Sequence, residues 1–169
     1  MIPVTIESVR VSLVSQQRVV ILAETGGDRY LPIFIGAFEA DAITVRLQGA
    51  ALWRPMTHDL LLRCISQLGG EVLRVVITEL RNDTFFANIH VRQNGEEHAI
   101  DSRPSDALAL AIRAGVPVYV SDAVMDQAGG FPDPAPWLET PAETSESPEE
   151  DVGIFRDFID SMDLGDLEE

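Results

Sequence analysis

Lysine is absent from this chain of 169 residues: all 12 of its basic residues are arginine. Any contact that a basic side chain makes with phosphate or carboxylate therefore uses the planar guanidinium fork, never an ammonium point charge. Cysteine is nearly absent too. Cys64 stands alone, which excludes an intrachain disulfide and makes a reducing, cytoplasmic setting the expectation. Its place in an apolar, helix-spaced pattern predicts a packed thiol. No apolar run approaches the roughly 20 residues that cross a bilayer. The opening Met1-Ile2-Pro3-Val4-Thr5-Ile6-Glu7 has neither the basic start nor the apolar block of a secretory signal, so no membrane partner is expected. Also missing are a Gly-rich phosphate loop, an HExxH motif, a Cys/His zinc pattern, a nucleophile elbow and a basic stretch interleaved with aromatics.

The net charge of −16 is unevenly spread. Residues 1–130 hold 15 acidic and 11 basic residues, a net −4, whereas residues 131–169 hold 13 acidic and one basic, a net −12. The acidity belongs mainly to the tail, and the total charge does not exclude a nucleic-acid partner for the rest. An apolar fraction of 46 % is enough to build one ordinary core.

Residues 4–11 alternate apolar and polar as a half-buried strand does, residues 19–22 form a short buried run, and residues 30–35 resume extended structure. Pro32 suits an edge strand or a strand start. A helix over 39–47 with Ala40, Ile43 and Leu47 on one face follows. A second helix has Leu61, Cys64, Ile65 and Leu68 at i, i+3, i+4, i+7 and ends at Gly69-Gly70. A hairpin of residues 72–80 and 84–92 joined around Arg81-Asn82-Asp83, a turn at Asn94-Gly95, a short strand over 97–100, a helix from Pro104 to about Ala114 that stops at Gly115, a strand over 116–120 and a short helix capped by Ser121 complete the first part. The interleaving lacks a regular βαβ rhythm. It predicts a single α+β domain over 1–130 with a mixed, largely antiparallel sheet and packed helices. Residues 131–150, rich in Pro, Glu, Ser and Thr, predict a flexible linker. Residues 151–169, with Phe155, Phe158, Ile159 and Met162 at helical spacing, predict an acidic amphipathic tail helix able to take a protein partner.

Two segments echo each other. Arg54-Pro55-Met56-Thr57-His58-Asp59 and Asp101-Ser102-Arg103-Pro104-Ser105-Asp106 each run from Arg-Pro through a hydroxyl residue to an aspartate and an apolar helix. Thr57, Ser105, Asp59 and Asp106 have the chemistry of helix caps, and His90 and His98 fall on strand faces with polar neighbours. The same residues have a second use. Two helix N-termini bearing Arg, His and carboxylates can form an anion site. Arg54 and Arg103, with Thr57 and Ser105, can hold phosphate oxygens. His58 can move a proton near neutral pH beside Asp59, Asp101 and Asp106. Glu39 and Asp106 can offer oxygen ligands to Mg²⁺ or Mn²⁺.

Leu31-Pro32-Ile33-Phe34-Ile35-Gly36, Glu39-Ala40 and the two Arg-Pro segments, in this order and spacing, resemble the bifunctional nuclease domain family over roughly residues 1–130. The resemblance implies a compact α+β domain, commonly self-associating, so a homo-oligomer with a dimer favoured. It implies DNase and RNase activity. The leading expectation is hydrolysis of nucleic-acid phosphodiesters with little sequence preference, helped by a divalent cation on the carboxylates. Carried over, the site would be Glu39, Arg54, Thr57, His58, Asp59, Asp101, Arg103, Ser105 and Asp106. The rival expectation is a non-catalytic regulatory or protein-binding module with an anion-binding junction.

Overall fold

The computed structural model describes residues 1–11, 17–50 and 53–131. The expected tail helix, and all of the expected linker beyond Phe131, lie outside the described residues.

Alternation in the first third gives an antiparallel meander of β1 (Ile2–Val11), β2 (Arg18–Glu24) and β3 (Tyr30–Ile35). Two helices follow, α1 (Ala37–Leu47) and α2 (Thr57–Gln67). A second meander comprises β4 (Gly70–Arg81), β5 (Thr84–Gln93) and β6 (Glu96–Ser102). It turns at Asn82-Asp83 and at Asn94-Gly95, where all four residues have positive φ, the geometry that matches the twist of a tight hairpin. Then come α3 (Pro104–Ala114), β7 (Val118–Val120) and α4 (Asp122–Ala128).

The three-residue β7 joins the meanders, antiparallel to β1 and parallel to β4. The result is one seven-stranded sheet in the order β3-β2-β1-β7-β4-β5-β6. This is the predicted α+β architecture with a mixed, mostly antiparallel sheet. Pro32 lies on the edge strand β3, where a missing N–H costs no ladder bond.

The core lies between the sheet and the helices. Val20 and Leu22 of β2, Val75 and Ile77 of β4 and Ala87 and Ile89 of β5 meet Ala107, Leu108, Leu110 and Ala111 of α3. Alanines let α3 approach the strands closely, while its leucines fill the space between them. Gly115, at φ +67, ends α3 in the left-handed conformation and donates its N–H to the Ala111 carbonyl. Ser121 caps α4 as expected, accepting from the Val124 N–H while donating to the Thr78 carbonyl.

Three local expectations are corrected. Helix α2 does not bury the stripe containing Cys64. It turns His58, Leu62 and Ile65 inward and leaves Leu61, Cys64 and Leu68 exposed, because polar contacts at its first turn fix its rotation. In α1, Ala40, Ala42 and Ile43 are buried and Leu47 is exposed. The cap positions of α2 and α3 fall on Met56 and Arg103 rather than on hydroxyl residues. Thr57 and Ser105 are already inside their helices.

Candidate functional site

Helix α2 crosses α3 at its own N-terminus, so that adjacent residues of α2 reach two turns of α3. His58 Nε2 lies 3.2 Å from Asp106 Oδ1, and Asp59 Oδ1 accepts from Arg113 Nε at 3.0 Å. Asp106 and Arg113 are seven residues apart, about 10 Å along one helix face. Each half of the His58-Asp59 pair therefore serves a different cleft.

The first cleft, about 420 Å³, is lined by Phe38, Glu39, Asp41, Thr57, His58, Arg103 and Asp106, among others. Arg103 precedes α3 and points its fork back along the helix. Its Nε and Nη2 donate to the two oxygens of Asp106 at 2.7 and 3.1 Å, and its Nη1 donates to Glu39 Oε1 at 2.9 Å. Glu39 sits in the first turn of α1, where a carboxylate complements the helix dipole. Its carboxylate folds over Gly36, so that a Cβ at that position would collide with it. The Arg103 side chain stays largely in solvent at 67 % exposure while His58 is buried. Burial alone would raise the Asp106 carboxyl, but hydrogen bonds from Arg103 and then His58 outweigh it and hold Asp106 below its ordinary range. Arg103 is shifted upward, first by its bonds to Asp106.

The second cleft, also about 420 Å³, lies on the other side of the Asp59–Arg113 pair. It is lined by Val45, Arg46, Trp53, Arg54, Arg63 and Arg113, with Asp59 at its wall. Asp59 is fully committed: Oδ1 takes the buried Arg113, and Oδ2 accepts the Met56 N–H at 2.9 Å, closing the first turn of α2.

The two Arg-Pro segments thus converge, but unequally. His58, Asp106, Arg103 and Glu39 meet in one cleft with Thr57 at its edge. Arg54 and Asp59 line the other. The two extra residues between Arg and Asp in the first segment decide this: Arg103 reaches Asp106 three positions on, whereas Arg54 stands five positions before Asp59, whose partner is Arg113. Ser105 is buried in α3 and lines an adjoining recess of about 280 Å³ beside Phe34 and Phe85, which shares Glu39 and Arg103 with the first cleft. Asp101 is exposed on β6 opposite Asn88 and makes no ion pair among the described residues. His90, expected at the surface, is half-buried and shares Glu97 with Arg74. Sequence reasoning missed Arg113, Arg46, Arg63 and Trp53. Only Arg113 carried a signal, since it lies on the same face of α3 as Asp106.

The donor set as it stands does not fit a divalent ion. Such an ion needs several oxygens not already held by another cation, yet Glu39 and Asp106 both face Arg103. Among the described residues no three His, Cys, Asp or Glu groups converge on one point.

An α+β domain with a buried histidine, a carboxylate and an arginine gathered where three helices meet has the parts for acid–base work on an anion. The bifunctional nuclease domain model matches residues 20–132, and the chain belongs to that family. It is 39 % identical over 169 residues to an uncharacterized protein of Mycobacterium tuberculosis, covering 97 % of this chain and 96 % of that one. It is 27 % identical over 106 residues to bifunctional nuclease 1 of Oryza sativa and 26 % identical over 106 residues to bifunctional nuclease 2 of Arabidopsis thaliana. Those matches cover 61 % of this chain and 32 % of each plant protein. Among the described residues no helix is long and apolar enough to cross a membrane.

Proposed function

We propose that this protein cleaves phosphodiester bonds of nucleic-acid strands at the Glu39–Arg103–Asp106–His58 cleft. The observation that carries the reading is the His58–Asp106 contact inside that cleft. A carboxylate on Nε2 keeps the proton there and leaves the Nδ1 lone pair free to accept another. Nδ1 makes no hydrogen bond among the described residues and is not sealed from solvent. In RNA it takes the proton of the 2′-hydroxyl as the 2′-oxygen–phosphorus bond forms and the bond to the 5′-oxygen breaks, leaving a 2′,3′-cyclic phosphate and a 5′-hydroxyl whose proton comes from water. Arg103 spends three of its five N–H donors on carboxylates and keeps two for the charge that develops on phosphorus. DNA offers no such internal nucleophile and requires an activated water, so RNA is the faster substrate.

No step here passes through a metal. One observation favours the non-catalytic reading, that Arg103 already balances Glu39 and Asp106, two of the cleft's three carboxylates. Asp106→Asn and His58→Gln decide between the two. Each is expected to lower cleavage of a labelled ribo-oligonucleotide by about 10²-fold or more while circular dichroism stays unchanged, and cleavage should persist in EDTA. Equal activity in both variants and wild type would sink the proposal. Activity lost in EDTA and restored by Mn²⁺ would show instead that Arg103 yields its place to a metal.

A further inference from the structure

Eleven arginines fall among the described residues, and their partners divide them sharply. Seven are ion-paired with carboxylates, and Arg18 is also engaged. The three whose guanidinium groups have no partner among the described residues are Arg46, Arg54 and Arg63, and all three line the second cleft. They come from the last turn of α1, the segment before α2, and the middle of α2. The cleft's one acid, Asp59, is consumed by Arg113 and the Met56 N–H. Among the described residues every other guanidinium is engaged, and the three without a partner share a single recess. Their mutual repulsion is relieved by an anion with several charges spaced along it.

The lining adds a second requirement. Trp53 adjoins Arg54 and is 94 % exposed, while Val45, Ala50, Pro55 and Leu62 give the recess an apolar floor. A bare phosphate uses neither feature. A nucleotide strand uses both, with its phosphates on the forks and a base against the indole. The patch is too small and too local for a duplex.

We infer that the Arg46–Arg54–Arg63 cleft with Trp53 is a binding subsite for single-stranded nucleic acid, separate from the His58 cleft and divided from it by the Asp59–Arg113 pair. The inference rests on the reading above in taking a nucleic-acid strand as the ligand. The subsite holds the strand through two or three phosphates and one stacked base, and does none of the chemistry.

The test is fluorescence anisotropy of a labelled oligodeoxythymidylate with the full chain across a range of salt. Oligodeoxythymidylate has no 2′-hydroxyl, so binding is read apart from RNA cleavage. Replacing Arg46, Arg54 and Arg63 together by Gln is expected to weaken binding by about tenfold or more. It should also flatten the dependence of log affinity on log salt by about 2, the slope of three phosphate contacts to a single strand. All three side chains are exposed, so the fold survives the change. Trp53→Ala should weaken binding about tenfold with the salt slope intact. Binding unchanged in the triple variant would overturn the inference, and if ribo-oligonucleotide is still cleaved the nuclease reading stands. Tighter binding of polyglutamate than of the oligonucleotide would also overturn it. Arginine-dependent binding with no cleavage by any variant would instead remove the nuclease reading and leave the subsite in place.

Discussion

Arg113 and Asp59 are 54 residues apart in the chain and 3.0 Å apart in space, and the Arg113 side chain is only 2 % exposed. Removing one partner of such a pair leaves a charge stranded in the interior, at a cost of about 3–5 kcal/mol. Asp59→Asn is therefore expected to lower stability by roughly the bottom of that range, since Asp59 keeps some contact with water. The loss should appear as an earlier urea midpoint with an unchanged slope. The double change Asp59→Leu with Arg113→Met should cost less than the single one. A single variant as stable as wild type would show that the pair does not hold α2 against α3.

Asp106 predicts a pH signature. A carboxylate whose folded pKa is depressed stabilises the fold at pH above its unfolded value, near 3.9, and loses that contribution as pH falls through the folded value. Glu24, bonded to Arg29, and Glu97, bonded to Arg74 and His90, are shifted the same way. The melting temperature should stay level from neutral pH to about 5 and drop below about 4. Asp106→Asn should melt lower than wild type at neutral pH and approach it in acid. Curves that stay parallel down to pH 3 would mean that the network adds nothing to stability.

Much of this was legible in the sequence, because the features concerned are local. Alternation marked the strands of both meanders, Asn82-Asp83 and Asn94-Gly95 marked the hairpin turns, and Pro104 with Gly115 bracketed α3. The echo between the two segments singled out His58 and Asp106 as candidates, but it did not pair them with each other. What escaped depended on contacts between distant segments. The rotation of α2 is set by partners on α3, so apolar spacing alone put Cys64 on the wrong face. Arg46, Trp53, Arg54 and Arg63 come from separate stretches, so no basic–aromatic run announced their cleft.

Arg103 separates geometry from charge. A lysine keeps the positive charge at that position but cannot bridge both oxygens of Asp106, reach Glu39 and still present two donors. Arg103→Lys should lower kcat by about 10²-fold, with KM changed far less, because the lost contacts serve the developing phosphorane rather than the bound strand. A change confined to KM would move Arg103 from the chemistry to binding.

The acidic tail offers the last prediction. Residues 131–169 carry 13 of the 28 acidic residues beside a single arginine, while three guanidinium groups of one cleft have no partner among the described residues. On charge alone the tail's carboxylates are expected to compete with phosphates for those forks, with a tethered anion favoured over a free one. Cutting the chain after Phe131 keeps the Tyr30–Gly130 pairing that anchors the domain's end. The shortened chain should bind oligonucleotide more tightly than the full one, most of all at low salt, and with a steeper salt dependence. In the Arg46, Arg54, Arg63 triple variant the same cut should change affinity far less. Equal binding by the long and short chains at low salt would exclude competition by the tail, and a gain of the same size in the triple variant would place that competition at other arginines.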